Sequence, residues 1–105
     1  MNEIAAKRHG KLIDQLSDIW SGKAEYSEVF IEELRGVGRE LKRDTNKDVR
    51  LIGARTLDLA KEVREHAVLI QYYSEDSRHI QKSLKELRRI MTAISSAIMR
   101  IEGSE

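Results

Sequence analysis

From residue 49 to residue 101 one set of positions steps along the chain by three and four without a slip: 49, 52, 56, 59, 63, 66, 70, 73, 77, 80, 84, 87, 91, 94, 98 and 101. Thr56, His66, Tyr73 and Ser77 are its polar or half-polar members, and the others are aliphatic or methionine. Spacing that averages three and a half residues lines one side of a helix with apolar side chains and leaves the opposite side to water. In heptads, Val49, Thr56, Val63, Ile70, Ser77, Leu84, Met91 and Ile98 fill one core position, and Ile52, Leu59, His66, Tyr73, Ile80, Leu87, Ile94 and Ile101 fill the other. Strand-like alternation is missing from every segment long enough to test, and the chain has no proline. A chain so patterned is expected to be all-α.

The first half carries two shorter helical patterns. Ile4, Leu12, Ile13, Leu16, Ile19 and Trp20 define the face of a first helix, which Ser21-Gly22 stops by offering a left-handed cap. Val29, Phe30, Leu34, Val37 and Leu41 make the stripe of a second. Thr45-Asn46-Lys47-Asp48 fits a capping box with Thr45 as the cap. A single helix over the remainder would run to roughly 80 Å at 1.5 Å per residue. The seam is weakest at His66, Tyr73 and Ser77, and Ser74 followed by two acids reads as a helix start, so a break is expected near Tyr73–Asp76. The expectation is one domain, residues 1–105, forming an antiparallel helical bundle of three to four helices over 2–21, 26–43, 46–73 and 76–102, with a long heptad-patterned C-terminal half.

Charged residues make up 35% of the chain but nearly cancel, at a net +1, so no global field draws it toward nucleic acid or a membrane. Cysteine is absent, which excludes disulfides and thiolate metal sites. The longest apolar run, Ala67-Val68-Leu69-Ile70, is far short of a membrane span, and the first residues carry charge where a signal peptide needs apolar ones. A cytoplasmic protein with no membrane partner is expected. Two asparagines, no cysteine and abundant Lys, Arg and Glu resemble a thermophile composition.

Chemistry-bearing residues form no motif. His66 and His79 have acids within a turn, but neither paired histidines at helical spacing nor a doubled Glu-x-x-His pattern occurs. The expected state of such a histidine is a buried or half-buried imidazole with one hydrogen-bond partner. Tyr72-Tyr73 places one ring on the seam and one outward. The serines have no elbow context, and Gly36 and Gly38 match no phosphate-binding loop, so close helix–helix approach is their expected role. Were the chain an enzyme, Glu62, His66, Tyr73 and His79 would be the first residues to consider. No catalytic function, metal or cofactor is expected.

Two features point outward. The last helix is apolar over more than one stripe, so Leu87, Ile90, Met91, Ile94, Ile98 and Ile101 are expected to face either the bundle interior or a second copy in a homodimer. Arg35, Arg39 and Lys42 line one outer helix face, and Arg78, Lys82, Lys85 and Arg89 line another. These stripes are candidates for contact with nucleic-acid phosphates. The leading expectation is a small, non-enzymatic, self-associating interaction or scaffold protein. A nucleic-acid-binding accessory protein is the alternative.

Overall fold

The computed structural model describes the backbone of residues 3–103 and side chains from His9 onward. It contains α1 (Glu3–Trp20), α2 (Glu28–Lys42), α3 (Lys47–Tyr72) and α4 (Arg78–Gly103), with no strand among the described residues. The expected start at residue 2 lies outside the described backbone, and Ile4 lies outside the described side chains. The break expected in the heptad half is real: the chain leaves the helix at Tyr73 and re-enters at Arg78.

Each helix end is set by local chemistry. Gly22 takes φ +72°, Lys23 N–H donates to Asp18 C=O, and Gly22 N–H donates to Ile19 C=O. Together these make a glycine-closed cap that satisfies the last carbonyls. Ser27 caps α2 by accepting from Phe30 N–H. Two caps fall later than the sequence suggests. Asn46, not Thr45, caps α3, accepting from Asp48 and Val49 N–H while its own N–H donates to Asp44. Asparagine is the stronger capping residue of the adjacent pair. Ser77, not Ser74, caps α4 by accepting from Ile80 N–H, and Ser74 instead closes the preceding turn by accepting from Ser77 N–H.

The closest packing in the molecule is between α2 and α3. A Cβ added to Gly53 would sit 2.4 Å from the Lys42 nitrogen, 2.7 Å from the Gly38 oxygen and 2.9 Å from the Leu41 carbonyl carbon. These are backbone atoms, so the helices touch main chain to main chain. Gly38 answers from the other side, its missing Cβ leaving room for Leu57 at 3.0 Å. Gly36 faces open space, so the role expected for both glycines of α2 belongs to Gly38 alone, with Gly53 as its counterpart.

That contact fixes the register of an antiparallel pair. At its far end Arg64 of α3 lies 4.0 Å from Glu28, the first residue of α2. The α3–α4 hairpin is antiparallel too, with His66 opposite Ser83. The core joins Leu12, Leu16 and Ile19 of α1 to Ile31, Leu34 and Leu41 of α2, Ile52, Leu59 and Val63 of α3, and Leu87, Ile94 and Ile98 of α4. Each fully buried aliphatic side chain stabilises the fold by about 1.5–3 kcal/mol of transfer free energy. Leu87, Ile90, Met91, Ile94, Ile98 and Ile101 are all buried within this one chain, so the broad apolar face of α4 is used internally.

Two of the shorter stripes are narrower than expected. Ile13 and Trp20 are exposed, as is Val29, while Ile31 is buried. One residue along a helix is a turn of about 100°, enough to carry Ile13 off the Leu12–Leu16 face and Val29 off the Leu34–Leu41 face. Gln15 takes a place on the buried side of α1, with no hydrogen-bond partner for either amide atom among the described residues.

Because α2 has 15 residues and α3 has 26, the pair is unequal. Beyond Arg64, α3 continues about 12 Å past the start of α2 at 1.5 Å per residue. His66 is the last buried residue of α3, and Val68, Ile70 and Tyr72 are exposed.

The two glycines should respond oppositely to the same substitution. Gly53→Ala is expected to destabilise by roughly 2 kcal/mol or more, since only a backbone shift makes room. Gly36→Ala should stabilise by roughly 0.5–1 kcal/mol through helix propensity alone. Urea denaturation of both variants checks this; similar effects of one sign would contradict the α2–α3 contact.

Candidate functional site

His66 sits where the heptad pattern puts it, on the inner face of α3, and is 4% exposed. Its Nδ1 lies 3.0 Å from Ser83 Oγ on α4, a hydrogen bond whose donor depends on the tautomer. The Tyr26 ring, from the turn before α2, packs edge-on at 5.5 Å between centroids. Burial pushes the imidazole below its ordinary range, so it is neutral at pH 7, and burial likewise raises the Tyr26 hydroxyl. This is a satisfied core histidine. Ser83 lies in mid-helix, where the neighbouring backbone N–H groups are engaged along α4, so no pair of free amides is presented to a developing oxyanion.

The other residues considered for catalysis gather around the same hairpin without any of them hydrogen-bonding to His66. Tyr73 and His79 are exposed and stack across the α3–α4 turn, with ring centroids 4.2 Å apart and planes tilted by 33°. Glu62 lines a surface groove of about 620 Å³ between α3 and α4, and His79 and Ser83 line it as well. Desolvation raises the Glu62 carboxyl first, with repulsion from Glu65 and Glu86 adding to it. Among the described residues no group of three metal-ligating side chains comes together.

The basic stripes are partly neutralised. Arg35 pairs with Glu32, which Arg39 also approaches at 4.0 Å, and Arg89 holds Glu86 through two Nε contacts of 3.1 Å. Lys42, Arg78, Lys82 and Lys85 form no ion pair among the described residues. Lys82, Lys85, Glu86 and Arg89 stand on one wall of the groove, and Glu62 and Glu65 on the other. A phosphate approaching there meets both signs of charge.

Apart from Val29 and Leu51, the exposed large apolar side chains gather in two places. Between α1 and α4 runs an apolar groove of about 580 Å³, floored by Leu16 and Met91 and rimmed by Ile13, Trp20 and Met99. Trp20 is 63% exposed and Met99 70%. The second patch is the projecting end of the α3–α4 hairpin, where Val68, Ile70 and Tyr73 are exposed and Tyr72 is 76% exposed. The α1 groove escaped sequence reasoning because Trp20 reads as one more core residue, and its exposure depends on where α4 lies.

No known protein family matches the chain, and comparison with characterised proteins and with solved structures finds no similar one. No helix among the described residues is long and apolar enough to cross a membrane.

The buried imidazole makes stability depend on pH with a definite sign. Its folded-state pKa lies below the unfolded value near 6.5, so the unfolded chain binds the proton first. The stability it supports is complete above that value and falls as pH drops toward the folded pKa, by at most about 1.4 kcal/mol per pH unit. Glu62, raised above 4.5, acts in the opposite sense: its contribution is present at low pH and is lost as pH rises through its folded value. Urea midpoints between pH 7.5 and 5 should therefore fall for the native chain and change less for His66→Gln. Parallel profiles would contradict a buried neutral His66.

Proposed function

We propose that this chain is a non-enzymatic helical interaction module that associates with itself as a homodimer. The observation that carries this reading is the apolar surface left over once the internal core is complete. Trp20, Ile13 and Met99 lie along one groove, and Val68, Ile70 and Tyr72 lie on the projecting hairpin end. Contiguous exposed apolar side chains with polar neighbours mark surfaces that meet another molecule. The closed, hydrogen-bonded state of His66 fits the same reading.

A second reading, binding to nucleic-acid phosphates, is favoured by one observation: Arg78, Lys82 and Lys85 stand on a single helix without an ion-pair partner among the described residues. The carboxylates Glu62 and Glu65 across the groove weigh against it.

Sedimentation equilibrium at micromolar concentration is expected to return about twice the 12.1 kDa chain mass. A monomer at all accessible concentrations would remove the leading reading. In electrophoretic shift assays at about 100 mM salt no binding of duplex or single-stranded DNA or RNA is expected. A shift with a log–log salt slope near −0.9 per phosphate, abolished by Lys82→Glu/Lys85→Glu, would establish the second reading instead.

A further inference from the structure

We infer that the second copy docks on the α3–α4 face, with the two-fold axis running along the helices, so that the acidic wall of α3 in each copy meets the basic wall of α4 in the other. The inference rests on the self-association reading and specifies its surface.

The outer stripe of α3 runs through positions 51, 55, 58, 62, 65, 69 and 72 at steps of four and three. It carries an exposed Leu51 at one end and Leu69 and Tyr72 at the other, with Glu62 and Glu65 between. The facing stripe of α4 carries His79, Lys82, Glu86 and Arg89, with Glu86 and Arg89 paired to each other, and Lys85 lies beside it, so Lys82 and Lys85 are its uncommitted charges. Within one chain these opposite charges share a groove yet do not pair: Glu62, Glu65, Lys82 and Lys85 form no ion pair among the described residues. Glu62 is instead crowded by like charge from Glu65 and Glu86. Both walls have unused capacity for a partner of the opposite sign.

That pattern selects the symmetry. Two copies placed face to face can be related by an axis lying across the helices or along them. An axis across the helices lays α3 on α3 and α4 on α4, and sets Glu62 and Glu65 against their own equivalents and lysine against lysine. An axis along the helices lays α3 on α4, antiparallel, at unchanged height. With His66 opposite Ser83 as the level mark, Glu65 then stands level with Leu84 of the other copy, between its Lys82 and Lys85. Leu69 and Tyr72 reach the other copy's helix start, and Leu51 reaches its far end. The face is large enough. Two helices of 26 residues give an area about 39 Å long and about 20 Å wide, on the order of 800 Å² a side, which is what a standard interface needs.

Charge reversal on each wall tests the arrangement. In sedimentation equilibrium the native chain is expected to be a dimer. Lys82→Glu/Lys85→Glu alone and Glu62→Lys/Glu65→Lys alone should each weaken it at least tenfold, because the pairings between positions 62 and 65 of one copy and 82 and 85 of the other become repulsive. An equimolar mixture of the two should restore the dimer, since four acids at these positions in one variant now meet four lysines in the other. A native dimer that neither reversal weakens, or a mixture that stays monomeric while each variant keeps its helical circular dichroism, overturns the inference. If Trp20→Ser separates that dimer instead, self-association stands and its face is the α1–α4 groove. A native monomer removes self-association itself. Should a reversal unfold the chain, the native dimer alone still decides: it must weaken with added salt, as partly exposed ion pairs do, and a dimer indifferent to salt or tightened by it contradicts the inference.

Discussion

Everything in this bundle is arranged around the place where the backbones of α2 and α3 touch. With no side chain at Gly53 and none at Gly38, the two helices approach until the Lys42 nitrogen and Gly38 oxygen occupy the space a Cβ would need. A contact between main chains cannot slide by a rotamer change, so it fixes the register of the pair, and through it the position of Glu28 opposite Arg64. Since α2 runs out there and α3 does not, the end of the α3–α4 hairpin stands beyond the rest of the core. The Tyr26 ring packs edge-on against His66, and past that point Val68, Ile70 and Tyr72 are exposed. The apolar end follows from the unequal helix lengths and the register that the contact fixes.

Much of this was legible in the sequence because helical periodicity is a local property. The Val49–Ile101 seam specified helix whichever way the chain turned, and its weak members, Tyr73 and Ser77, mark where it does turn. Cap positions were less legible for a local reason. Thr45 competes with Asn46, and Ser74 with Ser77, and the outcome depends on which hydroxyl or amide oxygen reaches the free N–H groups. Gly53 is a glycine in mid-helix, which is a signal of close approach, but the sequence does not show which helix approaches it. Trp20 and Val29 were misplaced because one step around a helix separates core from solvent.

The surface followed the same division. Pairs three residues apart on one helix, Glu32 with Arg35 and Glu86 with Arg89, are implied by spacing and do form. The acidic wall that α3 raises opposite Lys82 and Lys85 is a tertiary fact, because residues 62–65 and 82–85 meet only after the hairpin closes. The width of the apolar face on α4 was plain in the sequence. That α1 and α3 would cover it was not, because coverage depends on how separate stripes close around a common core. The buried amide of Gln15 has no hydrogen-bond partner among the described residues, which is a cost on α1 that the sequence does not reveal.

Residue-resolved hydrogen exchange along α3 in dilute solution tests this account most directly. If the α2–α3 backbone contact anchors the fold and the hairpin end stands outside the core, the slowest amides should lie around Gly53–Val63. Protection should fall steadily past His66 toward Tyr72, because those hydrogen bonds open without breaking the core. Uniform protection to the end of α3, or exchange around Gly53 as fast as at Tyr72, would contradict it.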